Sequence, residues 1–474
     1  MSEQPLHFLR IPPFPRHRAG ALVVSGEGLP FDADALAAEM VAQRVGGAFW
    51  APETDPWTRG LRDDPEAAMV RALRMGGEAA RAVVEKLTKG VHPRCPFTGE
   101  VLGWLEAVRL MGAWRRLIEC NRAYTAVFGI AGWKRETLDA LLWAGSGPVP
   151  YRQCPKAFGC GDGLRSGDLA LAWVARAPAS LSKALADVGV KLGEVEDGFI
   201  RSSGLGADCV PPLSAMIDPM GSHVDPSRPS LLENVLGTHE FPPELLTRAA
   251  ALRAMLVEHG VGKYGVAQAG APVLPPRSRR RLLVIGQVED DRAVLLGGAG
   301  NTNLSLLQRA RAMEPDAELI YKPHPDVEAG HRKGAIPDAQ ALALADAIER
   351  HAPLSRLLGE VDGLHVISSQ AGFEALLQGV PVVTHGVPFY AGWGLTQDLA
   401  PTPERRGRQL GLDALVAASL ILCPRYLDPV TRLPCPVEVL VRRMVEGQAD
   451  MVTPLVRLRR LQGRVARIIT KMRM

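Results

Sequence analysis

The chain has 474 residues, 22% charged and 47% hydrophobic, which is typical of a folded protein of two or three domains and excludes a mainly disordered chain. Lysine and arginine number 55 against 51 acidic residues, so the net charge of +4 gives no strong overall field to attract nucleic acid. Aromatic residues make up only 5%, which also argues against base-stacking surfaces.

The first half of the chain alternates strand and helix patterns. We predict a strand over 20–26 and an amphipathic helix over 65–87 with an apolar face of Met69, Ala72, Leu73, Ala79 and Val83. The following patterns predict a helix over 100–124, a strand over 126–132, a helix over 134–145, a strand over 168–174, a helix over 180–190 and a strand over 191–199. This alternation favours a parallel α/β layer.

A Pro-rich stretch over 270–281 has the composition of a linker, and a second alternation follows it. Its patterns predict a strand over 281–287, a helix over 301–313 capped by Asn301 or Thr302, a strand over 317–325, a helix over 338–352, a strand over 364–369, a helix over 371–379 capped by Ser368 or Ser369 and closed by Gly379, and a strand over 380–386. Parallel sheets bind ligands at the carboxyl ends of their strands, where polar residues occur here. We therefore predict two Rossmann-like lobes facing a cleft that holds the site.

The predicted domain boundaries follow from these patterns. They are a short N-terminal region over 1–95, a first Rossmann-like lobe over 96–270, a second Rossmann-like lobe over 271–422 and C-terminal helices over 423–474.

The strongest local motif is Ser368-Ser369-Gln370, where a predicted strand passes into a helix. Free backbone N–H groups and the helix dipole at such a junction suit a phosphate, although a plain helix cap explains the serines equally. Glu374, about one turn further on, either caps the turn or accepts hydrogen bonds from a ribose.

The second motif is Lys322-Pro323-His324-Pro325, which holds a histidine between two prolines at a strand end. Such a histidine can donate to a phosphate or a leaving oxygen, and the alternative is a rigid loop in which it bonds the backbone. His331, Arg332 and Lys333 lie just beyond and either contact an anionic ligand or form a solvated turn.

Carboxylates cluster at two predicted strand ends. Glu196 and Asp197 close one strand of the first lobe, and Glu289, Asp290 and Asp291 follow the first strand of the second lobe. Two carboxylates flanking an anomeric carbon suit sugar transfer, one as nucleophile and one as acid or base, and solvent-facing loop acids are the alternative. No P-loop, no H-E-x-x-H and no dinucleotide fingerprint is present, so we predict neither a metal nor a cofactor.

Six segments occur together in one order: EDGFIRSSGLGAD, PPLSAMID, VEDD, YKPHPDVEAGHRKGAIP, SSQAGFEALLQG and PFYAGWGLT. Together they resemble the bacterial capsule-polysaccharide β-Kdo transferases of the KpsC/LipB type, in particular the second module of the two-module members. The resemblance covers roughly residues 97–450. It implies a GT-B-like α/β fold and retaining transfer of Kdo from CMP-β-Kdo to a saccharide growing on a phospholipid, in capsule polysaccharide biosynthesis and export.

The resemblance also implies roles for individual residues. Asp291 is the candidate nucleophile, with Asp290 as the adjacent alternative, and Glu196 or Asp197 is the base for the acceptor hydroxyl. Arg201 pairs either with the Kdo carboxylate or with these acids. His324 is a further catalytic candidate beside the CMP phosphate. The remaining candidates bind the donor around its phosphate and ribose; they are Gln287, Asn303, Lys322, Ser368, Ser369, Gln370 and Glu374.

Two departures from the family qualify what the resemblance implies. Gly221-Ser222-His223-Val224-Asp225 stands where the family has a tyrosine-rich stretch, which leaves the acceptor open. Residues 1–95 are too short for a first module and lack its motifs, so we interpret them as a reduced or replaced module. One complete site then predicts one linkage type.

The sequence predicts a cytoplasmic protein that either stays soluble or lies on the inner face of the inner membrane. Seven scattered cysteines without a C-x-x-C pair and an N-terminus without an apolar core favour a reducing compartment. The tail over 456–474 is basic and amphipathic, so it either binds an anionic leaflet or packs as a terminal helix. Capsule assembly and export proteins are the further partners that the family implies.

Two other functions stay open at this point. One is a catalytically silent subunit that binds a CMP-sugar or lipid and recruits other enzymes. The other is a transferase for a different CMP-activated acid sugar. The CMP pocket of such an enzyme would resemble that of a Kdo transferase, so only the residues facing the sugar would distinguish the two.

Overall fold

The computed structural model describes residues 8–59, 64–153, 163–204, 209–263, 265–266, 270, 273–330, 332–451, 453–454 and 456–457. His331 and most of the predicted basic tail, residues 458–474, lie outside the described residues. Within the described part of the chain, no helix is both long enough and apolar enough to cross a membrane.

The helices and strands alternate along much of the chain. The α-helices α1 to α16 are Ala33–Gln43, Pro65–Met75, Gly77–Thr88, Trp104–Asn121, Gly132–Leu141, Ser180–Asp187, Leu231–Thr238, Pro243–Glu258, Arg292–Gly297, Asn303–Met313, Pro325–Glu328, Asp338–Leu342, Leu354–Leu358, Gln370–Leu377, Leu412–Val416 and Val437–Val445. The strands β1 to β17 are Val23–Ser25, Val91–Pro93, Tyr124–Phe128, Tyr151–Arg152, Leu169–Ala172, Lys191–Asp197, Ser214–Asp218, Val261–Gly262, Gly265–Val266, Arg281–Ile285, Glu318–Lys322, Ala347–Ile348, Gly363–Val366, Val382–Thr384, Gln397–Asp398, Pro424–Leu427 and Pro434–Cys435.

The chain folds into two compact units. The first comprises Met1–Ala170, Lys183–Lys191 and Tyr426–Arg443. Its N-terminal part joins β1 to β2 as an antiparallel pair, and further along β3 pairs in parallel with β4. An apolar core with several tryptophans includes residues of β1 and β2, and the Trp114 indole donates to the Pro434 carbonyl at 2.8 Å.

The second unit comprises Leu171–Ser182, Leu192–Arg425 and Met444–Met474. It contains a parallel six-stranded sheet in the order β12-β11-β10-β13-β14-β15. Counted along the chain, this is the 3-2-1-4-5-6 order of the Rossmann fold, whose strand order reverses between β10 and β13. The residues of β10 and β13 are all buried, as expected for central strands covered on both faces.

Two further strand pairs belong to the second unit. Strands β6 and β7 run antiparallel, with Glu194 opposite Asp218 and Glu196 opposite Met216. Strands β8 and β9 form a small antiparallel hairpin in which Gly262 is opposite Gly265. The predicted GT-B-like α/β class is confirmed; the predicted domain boundaries stay a prediction.

Most predicted elements form, and two are wrong. The predicted helix over 65–87 is two helices, because Gly76 and Gly77 both adopt positive φ and break it. The break changes the buried face, so that Leu73 is buried while the other four predicted positions are only half-buried. The predicted helix over 338–352 ends at Leu342, and the edge strand Ala347–Ile348 follows it.

Candidate active site

A cavity of about 1070 Å³ lies within the second unit, at the carboxyl ends of β10, β11 and β13. It adjoins the point where the strand order of the sheet reverses, which is where open α/β sheets bind ligands. Ten of the thirteen predicted site residues line it: Glu196, Asp197, Gln287, Asp291, Lys322, His324, Ser368, Ser369, Gln370 and Glu374. Arg201, Asp290 and Asn303 do not line it.

Gln287 and Asn303 form a buried hub behind the cavity. The Asn303 side chain accepts the Gln287 N–H at 2.8 Å and donates to the Gln287 carbonyl at 2.7 Å and to the Gly334 carbonyl at 2.8 Å. The Asn303 N–H in turn donates to Glu289 at 2.7 Å. Asn303 therefore fixes the end of β10 and does not line the cavity.

The start of α14 is fixed by three hydrogen bonds that involve the side chains of Ser368, Ser369 and Gln370. Ser369 caps this helix by accepting the Ala371 N–H at 3.1 Å, which confirms one of the two predicted caps. The Ser368 hydroxyl donates to the Ala293 carbonyl at 2.8 Å, and the Gln370 amide donates to the Phe199 carbonyl at 2.8 Å. Both side chains are thus held in place at the cavity wall.

Lys322 and His324 follow β11. The Lys322 ammonium donates to the Ala352 carbonyl at 2.8 Å, and burial lowers its pKa while the charge of Glu349 opposes that change. His324 Nδ1 accepts the Asp326 N–H at 3.1 Å and caps α11, so the proton of the neutral ring lies on Nε2. Burial lowers the pKa of His324, and Asp326 and Asp291 oppose this. A neutral histidine with Nε2–H can donate to a phosphate oxygen.

The two candidate nucleophiles have different surroundings. Asp291 lines the cavity and caps α9 by accepting the Ala293 N–H at 2.9 Å. Both carboxylates are exposed, but Asp290 does not line the cavity and pairs at 3.1 Å with Arg332, which does. The geometry therefore favours Asp291 as the carboxylate that meets a ligand.

The carboxylates of β6 are both paired with arginines. Glu196 Oε1 is 2.9 Å from Arg292 Nη1, and Asp197 Oδ2 is 3.0 Å from Arg201 Nε. Arg201 is only 1% exposed and also donates to Ser202 and the Val210 carbonyl. Arg201 therefore contacts one of the two acids, Asp197, in this structure.

Glu374 is a half-buried acid of α14 on the cavity wall. Burial raises its pKa, against the opposing effects of the Lys263 N–H and the Lys263 charge. It can therefore accept hydrogen bonds as a carboxylate or donate one when protonated.

Three further cavity residues were not identified from the sequence: His223, Lys263 and Arg292. Lys263 had no sequence signal, whereas His223 lies in the 221–225 stretch that departs from the family and Arg292 directly follows the singled-out Asp291. His223 packs edge-on against Phe199 and Phe389, with ring centroids 5.0 and 5.8 Å away. Burial and the charges of Lys263 and Arg292 lower its pKa to about 3, so this ring stays neutral.

The arrangement combines groups that hold anions with groups that can attack carbon. Cationic side chains and the start of α14 can hold a phosphate, and the carboxylates of Asp291 and of β6 line the same cavity. No group of three or more His, Cys, Asp or Glu residues suited to a metal ion occurs among the described residues. Nucleophilic displacement at a phosphorylated carbon is the chemistry that this set of residues supports.

Comparisons with known proteins point to capsule polysaccharide synthesis. Residues 252–426 match the family described as capsule polysaccharide biosynthesis protein. The lipopolysaccharide-processing protein LpsZ of Rhizobium meliloti is 45% identical over 243 residues, which are 50% of this chain and 54% of LpsZ. The capsule polysaccharide modification protein LipA of Neisseria meningitidis serogroup A is 44% identical over 243 residues, 51% of this chain and 34% of LipA. The aligned segment thus spans about half or a third of these relatives.

Two solved structures are also similar. Both are KpsC proteins of Thermosulfurimonas dismutans, one a β-Kdo 2,7 transferase and the other a β-Kdo 2,4 transferase. They are 28% and 29% identical to this chain, with TM-scores of 0.55 and 0.57. Each match covers 68% of this chain, and the matches cover 99% and 98% of the two KpsC chains. These matches confirm the resemblance predicted from the motifs.

Proposed function

We propose that this chain, a relative of the KpsC/LipB type of capsule polysaccharide proteins, is a retaining glycosyltransferase that moves Kdo from CMP-β-Kdo to a lipid-linked saccharide. One observation carries the proposal: Asp291 and the carboxylates of β6 line the same cavity as the phosphate-type groups at the end of β11 and the start of α14. A nucleotide-activated sugar requires both kinds of group within one site.

The donor would bind through its phosphate. A CMP-sugar leaves as a phosphate monoester, and Lys322, the Nε2–H of His324 and the first turn of α14 supply donors for its oxygens. The buried link between Gln287 and Ser368 holds these elements in register. Glu374 lies one turn further along α14, where it suits the ribose or the cytosine.

The first displacement would form a glycosyl-enzyme. An Asp291 carboxylate oxygen bonds to the anomeric carbon while the bond from that carbon to the phosphate oxygen breaks, and the bonding electrons leave with CMP. The helix cap leaves Asp291 in a defined orientation, because one carboxylate oxygen accepts the Ala293 N–H. His324 and Lys322 offset the charge that develops on the leaving phosphate.

The second displacement would release the product. Glu196 or Asp197 accepts the proton of an acceptor hydroxyl, whose oxygen attacks the anomeric carbon and displaces Asp291. Two inversions give net retention. The two KpsC relatives form different linkages and are almost equally similar to this chain, so the proposal names the sugar and leaves the linkage to product analysis.

The test is a transfer assay with CMP-Kdo generated in situ and a Kdo-terminated synthetic glycolipid. We expect the wild type and the exposed-lysine control Lys183→Met to form product of the same anomeric configuration as the donor. CMP binding without product on several acceptors would support a silent binding subunit instead. Transfer from CMP-N-acetylneuraminic acid but not from CMP-Kdo would indicate another acid sugar.

A further inference from the structure

We propose, on the basis of the function proposed above, that Lys263, Arg292 and His223 form a second anion subsite that takes the carboxylate of the transferred acid sugar. All three line the same cavity as the Lys322 and α14 groups that suit the phosphate. The subsite would make these residues determinants of donor specificity.

The reaction itself requires such a subsite. In a 2-keto acid sugar the carboxylate is attached to the anomeric carbon, so a nucleophilic Asp291 must approach a carbon that already bears a negative group. A cation beside that carbon reduces the repulsion and orients the sugar. Arg292 directly follows Asp291 at the start of α9 and lines the same cavity.

The Arg292 guanidinium already contacts two carboxylates of β6 before any ligand binds. Its Nη1 lies 2.9 Å from Glu196 Oε1 and 2.9 Å from Glu194 Oε2. Glu194 is 1% exposed and also pairs with Arg228, which makes this anchor rigid. Both contacts are made through Nη1, so the Nε–Nη2 edge can present the fork geometry that matches a carboxylate.

Lys263 is delivered by the β8–β9 hairpin. It follows Gly262 in the turn of that hairpin, and its carbonyl accepts the Arg201 N–H at 3.0 Å. A Cβ on Gly262 would lie 3.1 Å from a carboxylate oxygen of Glu374, so the hairpin lies close against α14. This anchoring places a second cation on the cavity wall without using the phosphate groups.

His223 completes the subsite as a neutral donor. Its ring is held by Phe199 and Phe389, and Lys263 and Arg292 are the charged groups that act on it. Burial, with a further contribution from these two cations, lowers its pKa to about 3. A carboxylate bound between them would stabilise the charged ring and raise this pKa.

Arg201, the residue that the sequence suggested for this role, is less suitable. It is 1% exposed, is absent from the cavity lining and is committed to Asp197, Ser202 and the Val210 carbonyl. The subsite therefore replaces Arg201 by three residues that reach the cavity.

The experiment separates the sugar carboxylate from the phosphate. Lys263→Met, Arg292→Gln and the conservative Arg292→Lys are compared with wild type and with Lys183→Met, using calorimetry with CMP and the KM for CMP-Kdo. We expect Lys263→Met and Arg292→Gln each to raise that KM by at least about tenfold, the range for a lost charge-assisted hydrogen bond, with the Kd for CMP within about twofold of wild type. The KM of Arg292→Lys for CMP-Kdo should lie between those of the wild type and Arg292→Gln. Equal losses for CMP and CMP-Kdo would show that these cations bind the phosphate, and an unchanged KM would overturn the subsite altogether.

A second readout does not depend on transfer. NMR titration of the His223 ring, assigned with His223→Gln, measures its pKa with and without free Kdo. A rise in wild type that is absent in Lys263→Met and Arg292→Gln supports the subsite even if no transfer occurs, in which case only the proposed function fails. An unchanged His223 pKa in wild type with saturating Kdo overturns the subsite while leaving the transferase proposal to its own assay.

Discussion

Gln287 and Ser368 connect the two strands between which the order of the parallel sheet reverses. The Gln287 side-chain oxygen accepts the Ser368 N–H at 2.8 Å, and its amide nitrogen lies 3.4 Å from the Ser368 hydroxyl. Gln287 follows β10 and Ser368 follows β13, and both are buried. One side chain therefore sets the width of the crevice in which a nucleotide would bind.

This relationship predicts that Gln287→Ala weakens both the fold and CMP binding. The substitution leaves the buried Ser368 N–H without its acceptor, which costs about 1–3 kcal/mol of unfolding free energy. We expect the affinity for CMP to fall roughly tenfold, since about 1.4 kcal/mol corresponds to a factor of ten. Urea unfolding and calorimetry with CMP measure the two effects. The exposed Gln340→Ala is the control, and equal behaviour of the two variants would contradict the role of Gln287.

The adjacent aspartates predict an asymmetric pair of variants. Asp291→Asn should reduce transfer by at least about a thousandfold, because the amide cannot form the glycosyl-enzyme, yet the fold should hold because asparagine caps a helix as well as aspartate. Asp290→Asn should cost far less, because Asp290 does not line the cavity and its carboxylate is paired with Arg332. Turnover measured with both variants, alongside their thermal unfolding, checks this. The reverse order of losses would make Asp290 the nucleophile.

Much of the second unit could be predicted because its signals are local. Strand β10 is a run of apolar residues ending at a polar tip, and the Ser369 cap and Gly379 delimit α14 as expected. The carboxylates and His324 lie at strand ends, and parallel strands bring such ends to one edge. Pattern and resemblance together therefore singled out thirteen residues, ten of which line the cavity.

The remaining features depend on contacts between distant segments. Lys263 becomes significant only because a two-stranded hairpin and Arg201 anchor it, and no spacing in the sequence encodes that contact. The strand Ala347–Ile348 has two residues within an alanine-rich stretch, so sheet pairing, not propensity, decides its structure. Asn303 was predicted to bind the ligand, but its side chain forms hydrogen bonds with the backbone N–H and carbonyl of Gln287.

A glycine in α14 predicts a local packing limit. The Tyr390 hydroxyl donates to the Ser369 carbonyl at 2.5 Å, and a Cβ on Gly372 would lie 2.1 Å from that hydroxyl oxygen. Gly372→Ala should therefore destabilise the protein by about 1–3 kcal/mol and weaken CMP binding, because Tyr390 can no longer hold the start of the helix. Gly132→Ala is the matched control, since its Cβ would meet nothing within 4 Å and the change should be neutral or slightly stabilising. Denaturant midpoints and CMP affinities of the two variants test this, and equal losses would contradict it.

A buried histidine pair predicts acid sensitivity of the fold. His365 Nδ1 and His385 Nε2 are 3.1 Å apart, and the two residues are 1% and 0% exposed. Burial lowers the pKa of His365 to about 4, and the charge of Arg280 adds to this effect. Burial lowers the pKa of His385 to about 3, with His365 and Arg309 acting in the same direction. Between pH 6.5 and about 4 the unfolded chain therefore binds protons that the folded chain does not.

The full contribution of the pair to the unfolding free energy should therefore be present above pH 6.5. Below that pH the unfolding free energy should fall, by up to about 1.4 kcal/mol per pH unit for each histidine. Urea unfolding at several pH values measures the slope. His365→Gln removes one of the two rings and should give a shallower slope, whereas the exposed His259→Gln should keep the wild-type slope. Other buried histidines such as His223 contribute equally to all three proteins, so the difference between the variants isolates the pair. Identical slopes for His365→Gln and His259→Gln would mean that the pair does not resist protonation in the folded state.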